Sequence, residues 1–263
     1  MNMLRRELKT GRRAFLLWTF GLFFIVVAGL TKFTGFAGNT EVLKIFDDFP
    51  KIVLAVFGMV GVDVSTLPGF YAILAFYSII CAVIYGISLG ANAVNRESID
   101  KTYEFIFTKP RSRFYVINIK LLGGIIYLTA FCLLNLLFSF AATALQGIEN
   151  TISEQMVLFS VAMWLISFLF FMLCVFLSAL INKPEKGAQA ANAVFLLSFL
   201  IGMAYDILEN AAFLRYFAPL KYFSYGEVLS GTLNTKFIII CLVASFIFYT
   251  AASLIFSKKD LLD

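Results

Sequence analysis

The residues best placed to do chemistry lie in one block, RESIDKTYEFIFTKPRSR, residues Arg96 to Arg113, where eight of eighteen positions are charged. From Glu97 to Thr108 the apolar Ile99, Tyr103, Ile106 and Phe107 fall at i, i+4, i+7 and i+8, one face of a helix. Glu97, Asp100, Lys101 and Glu104 take the other face, with Glu97 and Lys101 in the favourable i, i+4 order. Pro110 stops the helix, and Arg111 and Arg113 follow it. The spacing predicts an amphipathic helix over 97–108 whose chemistry is recognition by charge and shape. A helix that anchors to lipid is rich in Lys or Arg on its polar face. This one carries three acids and one lysine, which suits a protein partner better.

Bond-making chemistry has little to work with. The chain has no histidine, which removes the commonest general base and a common metal ligand. Cys81, Cys132, Cys174 and Cys241 stand singly in apolar runs without metal-ligand or redox spacing, so they read as small buried hydrophobes. The apolar runs carry no Asp or Glu in their central portions, whereas ion-coupled transporters and intramembrane hydrolases need placed groups there. There is no G-x-x-x-x-G-K-[ST] to cradle a nucleotide. No catalytic residue, metal or cofactor is expected in this chain, and any work it does is powered by a partner.

The elements that position the block are membrane helices. The chain is 61% hydrophobic and 14% charged, against roughly a quarter charged in a soluble domain, and its mean hydropathy is +0.90. About 20 apolar residues cross a bilayer, and six runs reach that scale: 14–33, 69–94, 114–145, 156–181, 188–205 and 237–256. The expectation is a single all-α membrane domain over 1–263 with six transmembrane helices. Residues 1–13 are expected to form a short interfacial helix, with Leu4 and Leu8 on one face and Arg5, Arg6, Lys9, Arg12 and Arg13 around it. Two apolar loops, Ile52 to Val62 and about 206–231, are expected as helices on or dipping into the outer leaflet.

Six spans put both termini on one side. If that side is cytoplasmic, fifteen of the 21 basic residues lie inside, as the positive-inside rule requires. A formal net charge of +5 then points to anionic lipid rather than nucleic acid. Gly86 and Gly90 make a G-x-x-x-G that allows close helix approach, within the chain or between two chains. Asn135, Gln189 and Asn192 read as hydrogen-bonding glue between helices.

The order Glu97, Lys101-Thr102-Tyr103-Glu104-Phe105, Lys109-Pro110, Ser112-Arg113 and Lys120 resembles the cytoplasmic segment between the second and third helices of ABC-2 type permeases. Ala218-Pro219-Leu220-Lys221-Tyr222-Phe223 looks like that family's external Pro-containing motif, and Phe256-Ser257-Lys258-Lys259-Asp260-Leu261 its basic ending. Lys101 stands where many members have Gly. The resemblance covers essentially the whole chain. It implies two permease chains, a homodimer, working with two separate ABC ATPase subunits that bind ATP and Mg. It also implies that 97–108 is a coupling helix seated in an ATPase cleft, with Glu97, Asp100, Lys101, Tyr103, Glu104, Phe105 and Ile106 making the contact. In size and style the chain is similar to Gram-positive permeases that export amphipathic peptides, phenol-soluble modulins among them. That implies a multi-pass protein of a bacterial plasma membrane, with an amphipathic peptide or lipid-like cargo. The 31 Phe and 11 Tyr fit an apolar pathway. A membrane scaffold or sensor that holds a regulatory partner on the same helix is the alternative reading.

Overall fold

A computed structural model describes residues 2–37, 48–99, 113–147, 152–181, 183–208 and 211–258. All regular structure among them is helical. Helix α1, Asn2–Phe23, continues through a π-helical turn at Phe24–Ala28 into Gly29–Thr31 and a last turn at Phe33–Phe36. The short α2 is Lys51–Val56. Four long helices follow: α3 Leu67–Ile99, α4 Arg113–Leu145, α5 Ser153–Leu180 and α6 Pro184–Ile207. After two 3-10 turns, Ala212–Phe217 and Pro219–Lys221, come the five-residue α7, Tyr225–Leu229, and α8, Thr235–Lys258.

Six stretches are long and apolar enough to cross a bilayer: Met3–Gly35, Leu67–Val94, Phe114–Leu145, Ser153–Leu180, Glu185–Ile207 and Thr235–Phe256. The chain is an all-α integral membrane protein. One expectation about its edges changes. The expected short helix at the N-terminus is not separate, because α1 runs unbroken from Asn2 into the first span. Its half-buried stripe of Leu4, Glu7, Leu8 and Gly11 packs on α4, which holds the helix upright. Tyr127 of α4 donates its hydroxyl to the Leu8 carbonyl, and its ring lies under Gly11. In the loop expected as outer-leaflet helices, the described residues form two 3-10 turns and one short helix. Pro219 cannot donate to a helical ladder, and the side chain of Arg215 takes the carbonyls of Lys221 and Tyr222 instead.

The core is built on α5. Two thirds of its apolar stretch is buried, 67% against 17% for α1, α6 and α8. Its most extensive neighbour is α3, and the pattern Gly86-x-x-x-Gly90 is what lets the two approach. A Cβ on Gly86 would stand 2.8 Å from the Ser167 carbonyl oxygen, and one on Gly90 would stand 2.7 Å from that of Phe171. Real Cβ atoms do not sit so close to a backbone oxygen, so these glycines serve packing within the chain.

Some hydroxyls inside the bundle are satisfied within their own helix. Ser139 and Ser167 donate to carbonyls four residues back, Asn135 at 2.8 Å and Met163 at 2.6 Å. Across helices, Tyr71 pairs with Ser139 at 3.0 Å and Trp164 donates to Thr129 at 3.0 Å. Asn135 is buried, and its side-chain oxygen has no partner among the described residues. At the end opposite the termini, Gly147 (φ +64°) reverses the chain after α4 in a conformation that favours glycine.

Candidate functional site

The helices α3 and α4 carry the 97–108 block between them. Each has 33 residues, about 50 Å at 1.5 Å per residue, whereas the hydrocarbon layer is about 30 Å thick. At the end that bears the termini, α3 carries Asn95, Arg96 and Glu97 and α4 carries Arg113, Asn118 and Lys120. Glu97 stands in the last turn of α3. Asp100, Lys101, Tyr103, Glu104, Phe105 and Ile106 lie outside the described residues. The base of α4 is tied to its neighbour: Tyr249 of α8 donates to the Asn118 side chain at 2.8 Å.

Beside that base, α1, α3 and α4 line a cavity of about 70 Å³. That is room for a few waters, and far too little for a peptide. Glu7 and Thr10 line it from α1, Tyr85, Ser88 and Asn92 from α3, and Lys120 from α4. Lys120 is 4% exposed and Tyr85 1%. The Tyr85 hydroxyl has no hydrogen-bond partner among the described residues, a costly state for a buried polar group. The outer surface of α1 here is basic, with Arg5, Arg6, Lys9, Arg12 and Arg13 all exposed. Sequence analysis assigned Glu7 no role. The stripe Leu4, Glu7, Leu8, Gly11 at i, i+3, i+4, i+7 was the signal that one carboxylate turns inward.

The opposite end is closed by a charged cap that sequence reasoning also missed. Arg215 donates to the Lys221 carbonyl at 3.0 Å, to that of Tyr222 at 2.9 Å, and to Glu227, and its guanidinium lies 4.5 Å over the Phe237 ring. Glu227 also accepts from Asn234 at 3.1 Å and from the Ser224 amide at 3.2 Å. Lys221 pairs with Asp206 at the end of α6. The motif 218–223 forms the inside of this cap: Ala218, Pro219, Leu220, Tyr222 and Phe223 are buried. Tyr222 stacks on Phe237, ring centres 4.6 Å apart, and donates to the Tyr216 carbonyl at 2.6 Å. Burial holds its phenol well above the usual range, at about 12.

One spanning surface is chemically odd. Gln189, Asn192, Leu196 and Leu200 of α6 form a single helical stripe, and all four are exposed. The glue expected of the two amides finds no neighbour helix among the described residues. The α6 stretch has the lowest mean hydropathy of the six spans, 1.7, although it is no more buried than α1 or α8.

A family model described as ABC-2 family transporter protein matches residues 1–261. No curated protein matches the chain.

Proposed function

The chain belongs to the ABC-2 family of transporter proteins, and from that premise we propose that it is the pathway-forming subunit of an exporter. A permease of this family is the membrane component of an ABC transporter and works with ABC ATPase partners. Two ATPases would bind ATP and Mg and drive two copies of this chain through the 97–108 segment, with both termini cytoplasmic in a bacterial plasma membrane. The observation that carries this reading is the length of α3 and α4. Their excess of about 20 Å is more than ordinary tilt absorbs. That length would carry the segment toward a soluble partner rather than lay it on lipid. A push on the segment enters α4 directly, and α4 is joined to α1 through Tyr127 and to α8 through Asn118.

The amide stripe on α6 supports a pathway between two chains. A side-chain amide facing lipid without a partner costs about 1–3 kcal/mol, and Asn192 stands about 9 Å beyond Lys186 along the helix. A second copy, or water between the copies, relieves that cost. The stripe joins amides to Leu196 and Leu200, a surface with both characters of an amphipathic peptide, and this is the cargo we assign. The test replaces Glu104 with Lys, the wrong sign for a cleft that receives three acids, at a cost of about 2–5 kcal/mol if the contact is desolvated. The tagged variant should insert normally, lose its ATPase on purification and stop exporting. Wild-type ATPase yield with normal export would overturn the coupling assignment.

A further inference from the structure

We propose that the cavity between α1, α3 and α4 is a headgroup site for an anionic phospholipid whose headgroup carries hydroxyls. This goes beyond the permease reading and depends only on α1 crossing the membrane. The depth is right: the apolar run of α1 begins at Ala14 and the polar start of α4 ends at Lys120, so the cavity sits where hydrocarbon gives way to headgroups.

The charge is arranged for a phosphodiester at the mouth. Thr10 and Ala14 line the cavity and are exposed, so they mark its opening on α1. Arg6 and Arg13 lie on their stripe, within roughly 60° of Thr10 at 100° per residue, while Arg5 and Arg12 are roughly 140–160° away. Arg6 and Arg13 therefore share the face of α1 that bears the opening, and a guanidinium is the group best suited to phosphate oxygens. Inside, the Glu7 carboxylate and the Lys120 ammonium both line the cavity, and Glu7 accepts from hydroxyl donors. The buried Tyr85 hydroxyl lacks a partner among the described residues, and Ser88 and Asn92 lie beside it. A phosphate held outside by Arg6 and Arg13, with a glycerol-like group reaching inward, satisfies both halves of the site. A choline headgroup has no hydrogen to donate and does not.

The experiment uses the full-length permease in detergent and measures stabilisation on titration with phosphatidylglycerol, phosphatidylcholine or soluble glycerol phosphate. Phosphatidylglycerol should stabilise at about tenfold lower concentration than phosphatidylcholine. Removing both mouth charges (Arg6→Gln with Arg13→Gln) should abolish most of that preference, about tenfold in apparent affinity. The matched control, Arg5→Gln with Arg12→Gln, removes the same charge and should keep it. Tyr85→Phe should weaken phosphatidylglycerol while leaving phosphatidylcholine unchanged. Equal losses in the two arginine pairs would mean diffuse surface attraction and overturn the site. Glycerol phosphate acting as well as the lipid would overturn the lipid assignment in favour of a free phosphate. Neither result touches export, which the assay does not require.

Discussion

Arg215 and Glu227, twelve residues apart, form one part-buried ion pair that fastens the 3-10 turns after α6 to the capping box of α7 and the start of α8. The arginine does more than pair: it satisfies two backbone carbonyls and covers the Phe237 ring. Arg215→Ala should therefore cost more than Glu227→Gln, about 3 kcal/mol against about 1–2, read from denaturant unfolding in micelles. Equal costs would mean that the ion pair alone holds the cap.

The same pair sets a pH dependence. Burial pulls the Glu227 carboxyl up, but hydrogen bonds from Arg215, Asn234 and the Ser224 amide, with the Arg215 charge, outweigh it and hold the group below its ordinary 4.5. A carboxylate that titrates lower in the folded state contributes stability above its unfolded value and loses it as the pH falls through the folded one. Stability should be level from about pH 5 to neutrality and decline below about pH 4. In Glu227→Gln this part of the acid limb should be missing. An acid limb identical to that of the wild type would assign the loss to other carboxylates.

Packing of α3 on α5 makes a further prediction. Gly86→Val puts atoms where the Ser167 carbonyl already stands and should cost about 1–3 kcal/mol by overpacking. Gly21 of α1 has open space around its Cβ direction, so Gly21→Ala should be neutral or slightly stabilising. If Gly86→Val left the monomer's stability unchanged but broke a dimer, the glycine pair would be an interface between chains after all.

What the sequence told, and what it withheld, follows from the range of the interactions. The six spans were legible because a hydrophobic run long enough for a bilayer is a local property. The Gly86–Gly90 spacing announced a close approach, but its partner, α5, is some eighty residues away and could not be named. Glu7 was hidden in a basic stretch because only the docking of α1 on α4 turns it inward. Arg215 and Glu227 drew no role from the sequence, since nothing local brings them together across a proline. Conversely, Gln189 and Asn192 read as glue, and only the packed bundle shows that both are exposed among the described residues.

Orientation is checked by labelling at the two ends of the bundle. Lys236, at the start of α8, and Lys186, at the start of α6, are both exposed and lie at opposite ends. With the half-buried Cys81 replaced, a cysteine at 236 should react with an impermeant reagent in intact cells, and one at 186 only after lysis. The reverse pattern would put both termini outside and remove the coupling segment from reach of any cytoplasmic ATPase.

The last prediction concerns the stripe on α6. Facing lipid, Asn192 is a polar amide in hydrocarbon, and Asn192→Leu should stabilise the isolated chain by about 1–3 kcal/mol. Facing a second copy or a wet pathway, the amide has partners that leucine cannot replace, so the same substitution should reduce dimer recovery or export. Position also matters: Leu197, exposed at 59% on the same helix, is roughly 140° round from Asn192 at 100° per residue. A cysteine at 192 should cross-link two copies in native membranes, while one at 197 should not. Cross-linking at 197 alone would turn α6 half a rotation and place the amides in lipid. Export that survives Asn192→Leu, with no cross-link at 192, would remove α6 from the pathway.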